Sequence, residues 1–187
     1  MRRFVLSLAV LGALTLGACN GGGSVLNIGS NTSVDRVIVT TTGPSNVARV
    51  IPGASLPLSA TAVRGGQNGL VNINQYTWSA VLVTSGTYPI NTLGGTKACT
   101  AVTATSGGVT SPYTADYSLY LTIDPTNESN VLLTPPTTFP LPAGITAITP
   151  PATTAYCVVV SATPRGGNAA NTGSITVAVV PPGSPEN

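Results

Sequence analysis

Tyr76, Trp78, Ala80 and Leu82 alternate with Thr77, Ser79, Val81 and Val83, and this strict period of two limits the fold more than any other feature of the chain. Successive side chains of an extended strand point to opposite faces, so such a run buries one face and leaves the other to solvent or a second layer. Trp78, the one tryptophan, is the expected core anchor of that strand. A second run sets Leu56, Leu58, Ala60 and Ala62 against Pro57, Ser59, Thr61 and Val63, with Pro57 pointing to an edge or a bulge. Residues 34–41 are β-branched almost throughout, which also favours a strand. Tyr117, Leu119, Leu121 and Ile123 alternate in turn, and residues 131–134 follow a turn opened by Asp124 and Pro125, giving a hairpin. Residues 99–105 supply one more strand candidate. The expectation is an all-β chain folded as an antiparallel β-sandwich.

Glycine and proline punctuate these runs. Gly43 with Pro44, and Pro52 with Gly53, mark turns, while the glycines at 65, 66 and 69 make a loop. Residues 135–151 hold prolines at 135, 136, 140, 142, 150 and 151, which deny donors to any ladder and predict an extended, irregular surface connection. The region 85–154 therefore reads as an inserted hairpin plus a Pro-rich crossover between the halves of one sandwich. Two small sandwiches divided near Gly107 and Gly108 are the alternative.

At the start of the chain, Arg2 and Arg3 precede an apolar run from Phe4 to Leu16, the pattern of a signal peptide. The run is too short to cross about 30 Å of hydrocarbon as a helix. The quartet Leu16, Gly17, Ala18, Cys19 that follows resembles a bacterial lipobox. That resemblance implies a thiol bearing diacylglycerol, cleavage before Cys19 and membrane attachment through N-terminal acyl chains. Ordinary secretory cleavage with Cys19 a bystander is the alternative. The segments are thus a lipoprotein-type leader at 1–18, a lipidated flexible tether at 19–32, the sandwich at 33–181 and a disordered tail at 182–187. Export to an oxidising compartment makes a Cys99–Cys157 disulfide the natural pairing. The rivals are two free thiols, or Cys99 as a nucleophile helped by Lys97 on the same strand face.

Residues 34–41, the Pro52 and Gly53 turn, the Leu-x-Leu-x-Ala strand and the Thr77, Trp78, Ser79 tripeptide together resemble the first half of bacterial immunoglobulin-like domains of the Big-2 kind. Residues 155–163 and 174–180 resemble the closing strand pair of the same domains. The likeness spans about half of the mature chain and implies an immunoglobulin-like sandwich. It departs at Ala60, the position nearest the usual second-strand cysteine, and at Tyr156, which stands directly before Cys157.

Charge excludes one class of partner. Charged residues make up only 6% of the chain, and once Arg2 and Arg3 leave, five of the seven cations remain against five carboxylates. A nucleic-acid surface needs a basic stripe, so none is expected. An internal echo is the best-placed candidate site: Ser59, Ala60, Thr61 with Arg64, Gly65, Gly66 returns as Ser161, Ala162, Thr163 with Arg165, Gly166, Gly167. In an immunoglobulin-like sandwich the two loops share a pole, where Arg64 and Arg165 form a cationic patch for a phosphate or carboxylate, facing the membrane. The plainer reading is two glycine turns with solvated arginines. Asp124, Asn127 and Glu128 offer oxygens to calcium but lack the spacing of a calcium loop, so a solvated turn and no metal are expected.

The chain has no histidine, and general acid-base or nucleophilic chemistry needs a tuned, oriented set that is not visible. No phosphate-binding loop, dinucleotide fingerprint or zinc spacing occurs, so neither enzyme nor cofactor is expected. The expected function is a membrane-anchored cell-envelope lipoprotein acting as a non-enzymatic surface, adhesion or scaffold module, meeting a protein or glycan partner. Asn20 after the lipobox cysteine prefers an outer-membrane address to an inner-membrane one. The alternative is an accessory lipoprotein binding carbohydrate or peptide through Tyr113, Tyr117 and Tyr120. Exposed tyrosines favour that alternative, and tyrosines buried against Trp78 favour the scaffold.

Overall fold

A computed structural model describes residues 34–42, 48–64, 69–71, 73, 75–90, 94–165 and 171–184, with the backbone alone at 64 and 69–71. Strands make nearly all the regular structure there, joined by a three-residue 3-10 turn, Ser118–Tyr120. The first sheet runs β1 (Arg36–Thr41), β3 (Leu56–Arg64), β12 (Asn130–Leu133), β11 (Leu121–Ile123), with β4 (Gly69–Val71) also paired to β3. The second runs β10 (Ala115–Asp116), β5 (Tyr76–Val83), β14 (Tyr156–Pro164), β15 (Gly173–Val179), β2 (Arg49–Val50). Neighbours are antiparallel except β2, which lies parallel to β15. With β1, β3, β5, β11, β12, β14 and β15 as strands A to G, the sheets read ABED and CFG, the order of an immunoglobulin-like sandwich. Both sheets join strands from either side of Gly107 and Gly108, through β3 with β12 and β5 with β14.

The alternation in the sequence sets the core. On β5, Tyr76, Trp78, Ala80 and Leu82 are buried while Thr77, Ser79 and Val81 are exposed. Leu58, Ala60 and Ala62 of β3 and Tyr156, Val158, Val160 and Ala162 of β14 belong to the same cluster. Gly173 opens β15 hard against β1, where an added Cβ would overlap the carbonyl of Val37, so a glycine is needed for that close approach. Pro57 lies neither on an edge strand nor at a bulge. It is the second residue of an inner strand, where β1 runs out: Thr42 N–H donates to its carbonyl at 3.1 Å. A residue's N and O share one side of a strand, so its missing donor falls past the last β1 pair, Thr41 with Leu58.

The hairpin read as an insertion is the sandwich's own D–E pair, β11 with β12. Its expected first strand is interrupted, because Asp116 Oδ1 accepts the Ser118 N–H at 2.8 Å and Ser118 Oγ accepts the Ala80 N–H at 3.0 Å. Such side-chain bonds compete with ladder formation, and the chain turns through Ser118–Tyr120, leaving Leu119 69% exposed. The added structure precedes it: a hairpin of β6 (Thr87–Pro89) and β7 (Thr96–Ala98), then β8 (Thr103–Ser106) and β9 (Val109–Pro112). The Pro-rich crossover is irregular apart from β13 (Ala147–Thr149), which pairs with β8. Of the single strand expected at 99–105, only residues 103–105 are extended, within β8, and residues 99–102 are irregular.

The insertion covers one end of the second sheet's outer face. Tyr88, Ala155, Cys157, Ala178 and Val180 form a small core of their own, apart from the main one. Cys157 points into it, and its bridge to Cys99 spans a Cα separation of 5.5 Å and 58 residues of sequence. The expected pairing is present, but it ties a flap to an outer face and leaves the two sheets unlinked. Bonded to Cys157, Cys99 is not an available nucleophile.

Candidate functional site

The largest concentration of aromatic rings lies where β10, the 3-10 turn and the Pro-rich crossover meet. Tyr117 is buried, its ring 4.4 Å from Tyr120 and 6.1 Å from Phe139, and Phe139 is 5.9 Å from Tyr156. The Tyr117 and Tyr156 hydroxyls share a hydrogen bond of 3.2 Å, a pairing that two phenols in an apolar interior require. Burial drives the Tyr117 phenol far above its ordinary value, and the Tyr156 hydroxyl beside it adds to the effect. Burial likewise pushes Tyr156 up to about 12, partly offset by its bond to Tyr117. Both are neutral phenols that hold the cluster in place.

Above this floor opens a concavity of about 230 Å³, edged by Tyr113, Tyr120, Phe139, Pro140, Pro142 and Asp116. Tyr113, Tyr120 and Phe139 are half-buried, so each keeps part of its surface toward solvent. The Ser118 hydroxyl, and then its backbone N–H, hold the exposed Asp116 carboxyl below the usual carboxylate range. The three tyrosines singled out in the sequence are therefore brought together, neither as an exposed row nor against Trp78. The ring beside Trp78 is Tyr76, at 6.3 Å, and the Trp78 indole donates to the Glu128 carbonyl at 2.7 Å. Phe139, Tyr156 and Asp116 were missed as members of the site. The one available signal was Phe139, a lone aromatic in a proline-rich run.

At the opposite functional candidate, β3 and β14 do end at one pole. Arg165 N–H donates to the Gln75 carbonyl at 3.0 Å, and Arg36 of β1 pairs with Val63. Arg165 carries its own counter-ion there, with Glu128 Oε2 at 3.3 Å. Arg64 pairs through its backbone with Gly69, and its side chain lies outside the described atoms. Asp124 Oδ1 accepts the Thr126 hydroxyl at 2.7 Å and the Thr126 N–H at 2.8 Å, which lowers its carboxyl below the ordinary range. Asn127 Oδ1 accepts both the N–H and the hydroxyl of Ser129. The loop thus closes on itself, and no group of three His, Cys, Asp or Glu among the described residues is placed to hold a metal ion.

A second, larger groove of about 570 Å³ is edged by Thr42, Pro57, Ile123, Pro125 and Leu132. It carries apolar surface and no charge beyond Asp124. Cys19 lies outside the described residues, and no helix among those described is long and apolar enough to cross a membrane. No family model matches this chain, and neither does any curated protein.

Proposed function

We propose that the chain is a lipid-anchored protein of the bacterial cell envelope whose Big-2-like sandwich is a non-enzymatic surface or scaffold module. The observation that carries this reading is the Leu16, Gly17, Ala18, Cys19 quartet directly behind a cationic and apolar leader. The strand order supports it from the other end, since such sandwiches serve as spacers and recognition modules. The tether leads into β1, which begins at the pole of Arg64 and Arg165, so the anchored sandwich stands with that pole toward the bilayer. Thirteen tether residues, 20–32, reach at most about 45 Å when extended.

The test is the intact mass and membrane partition of the protein expressed with its own leader in a bacterial host. Attachment predicts a mass raised by a diacylglyceryl group and acyl chain on Cys19, recovery with outer-membrane lipid, and loss of both in Cys19→Ser. Unmodified mass and a soluble product from the unaltered chain would refute the anchor.

A further inference from the structure

We infer that the concavity edged by Tyr113, Tyr120 and Phe139 is a binding site for an organic cation, an ammonium or guanidinium head, with the Asp116 carboxylate as its counter-ion. This goes beyond the scaffold reading and does not depend on the anchor. Aromatic faces attract cations through their quadrupole, most strongly where the site is partly desolvated. Three half-buried rings, from Tyr113, Tyr120 and Phe139, converge on one space of about 230 Å³. That is the scale of a single head group with a short stem, and far too small for a folded segment.

Charge complementarity settles the sign of the ligand. Asp116 is the one charged side chain in the lining, and no ion pair among the described residues involves it. With its proton affinity lowered by Ser118, it is ionised at neutral pH. The remaining polar groups of the lining are phenol hydroxyls, and no basic or amide side chain is present. An anion would be repelled by the Asp116 carboxylate, whereas a cation is attracted to both the carboxylate and the rings. Tyr117 beneath the rings is locked by Tyr156 and Phe139, so the box is already formed before a ligand arrives. Leu119, 69% exposed on the rim, offers apolar surface to the stem of the ligand.

The full chain carrying labelled tyrosine and phenylalanine is titrated in solution with tetramethylammonium, with N-acetyl-lysine amide and with glucose. The site predicts saturable shifts of the Tyr113, Tyr120 and Phe139 ring signals with either cation, upfield movement of the ligand methyl or methylene protons, and none with glucose. Stronger binding of tetramethylammonium would assign a choline-type head, and stronger binding of the lysine amide a protein side chain. Asp116→Asn, which keeps an oxygen for the Ser118 N–H, is expected to weaken the cation about fivefold to tenfold and to abolish its salt dependence. Tyr120→Leu keeps the apolar bulk and is expected to weaken it by a similar factor. Glucose shifting the same rings, no response to either cation, or unchanged affinity in Asp116→Asn would overturn the proposal.

Discussion

The main core and the small core on the outer face of the second sheet are built on different principles. The main core is drawn from both sheets, and its strands interlock in an order that no single turn determines. The outer core has five buried residues, one large ring and a disulfide, and its hairpin borrows the sheet it sits on. One region holds itself together by burial, while the other is held by a covalent bond and a few backbone contacts, such as Thr100 N–H to Ala155 O at 2.8 Å. A small apolar cluster below the size that folds alone needs such a staple.

The comparison breaks most visibly in the main core. Leu82→Ala removes a fully buried side chain between the sheets and is expected to cost about 2–5 kcal/mol, read by denaturant unfolding of the oxidised protein. Loss of less than about 1 kcal/mol would mean that the two sheets are not packed through β5. Opening the disulfide with Cys99→Ser is next, at about 2–4 kcal/mol in the chain-entropy picture. Its loss should fall on the insertion first, seen as faster proteolysis between β6 and β8 with the far-ultraviolet spectrum unchanged.

Tyr117→Phe sharpens the contrast by removing one hydroxyl and leaving that of Tyr156 buried without its partner, at about 1–3 kcal/mol. The same pair makes the main core sensitive to alkali. Folded-state values above the ordinary phenol value of 10.0 mean that the unfolded chain releases these protons first. Their contribution is complete below pH 10 and is lost as pH climbs through about 12, and the double variant Tyr117→Phe, Tyr156→Phe should flatten that decline. The smallest effect is expected from Arg165→Ser, since a partly exposed ion pair with Glu128 contributes about 1 kcal/mol or less.

The same division decides how much could be read from the sequence. Strands β3 and β5 were legible because each lies over a core that demands a period of two, and residues 58–62 and 76–82 bury alternate side chains as that demand requires. Strand β1 was legible from its β-branched run, and β14 and β15 from the resemblance to the closing strand pair. The Cys99–Cys157 pairing was legible from the expectation of export and the count of cysteines. Its place on an outer face was not, because facing depends on register: Val158 turns inward and so Cys157 turns out. The D–E hairpin was found but misplaced, since a strand pair carries no mark of which sheet it will join. The aromatic site was half legible. Tyr113, Tyr117 and Tyr120 are near in sequence, whereas Phe139 and Tyr156 arrive through the crossover and the F strand, and no local pattern announces that meeting. Asp116 was hidden because its role comes from a backbone N–H two residues on.

Amide hydrogen exchange, with and without reductant, tests most directly the claim that the sandwich is self-sufficient and the insertion is stapled to it. The account predicts that reduction strips protection from β6 and β7 while β5 and β14 keep theirs. Equal loss across all four strands would contradict it, as would full retention in β6 and β7.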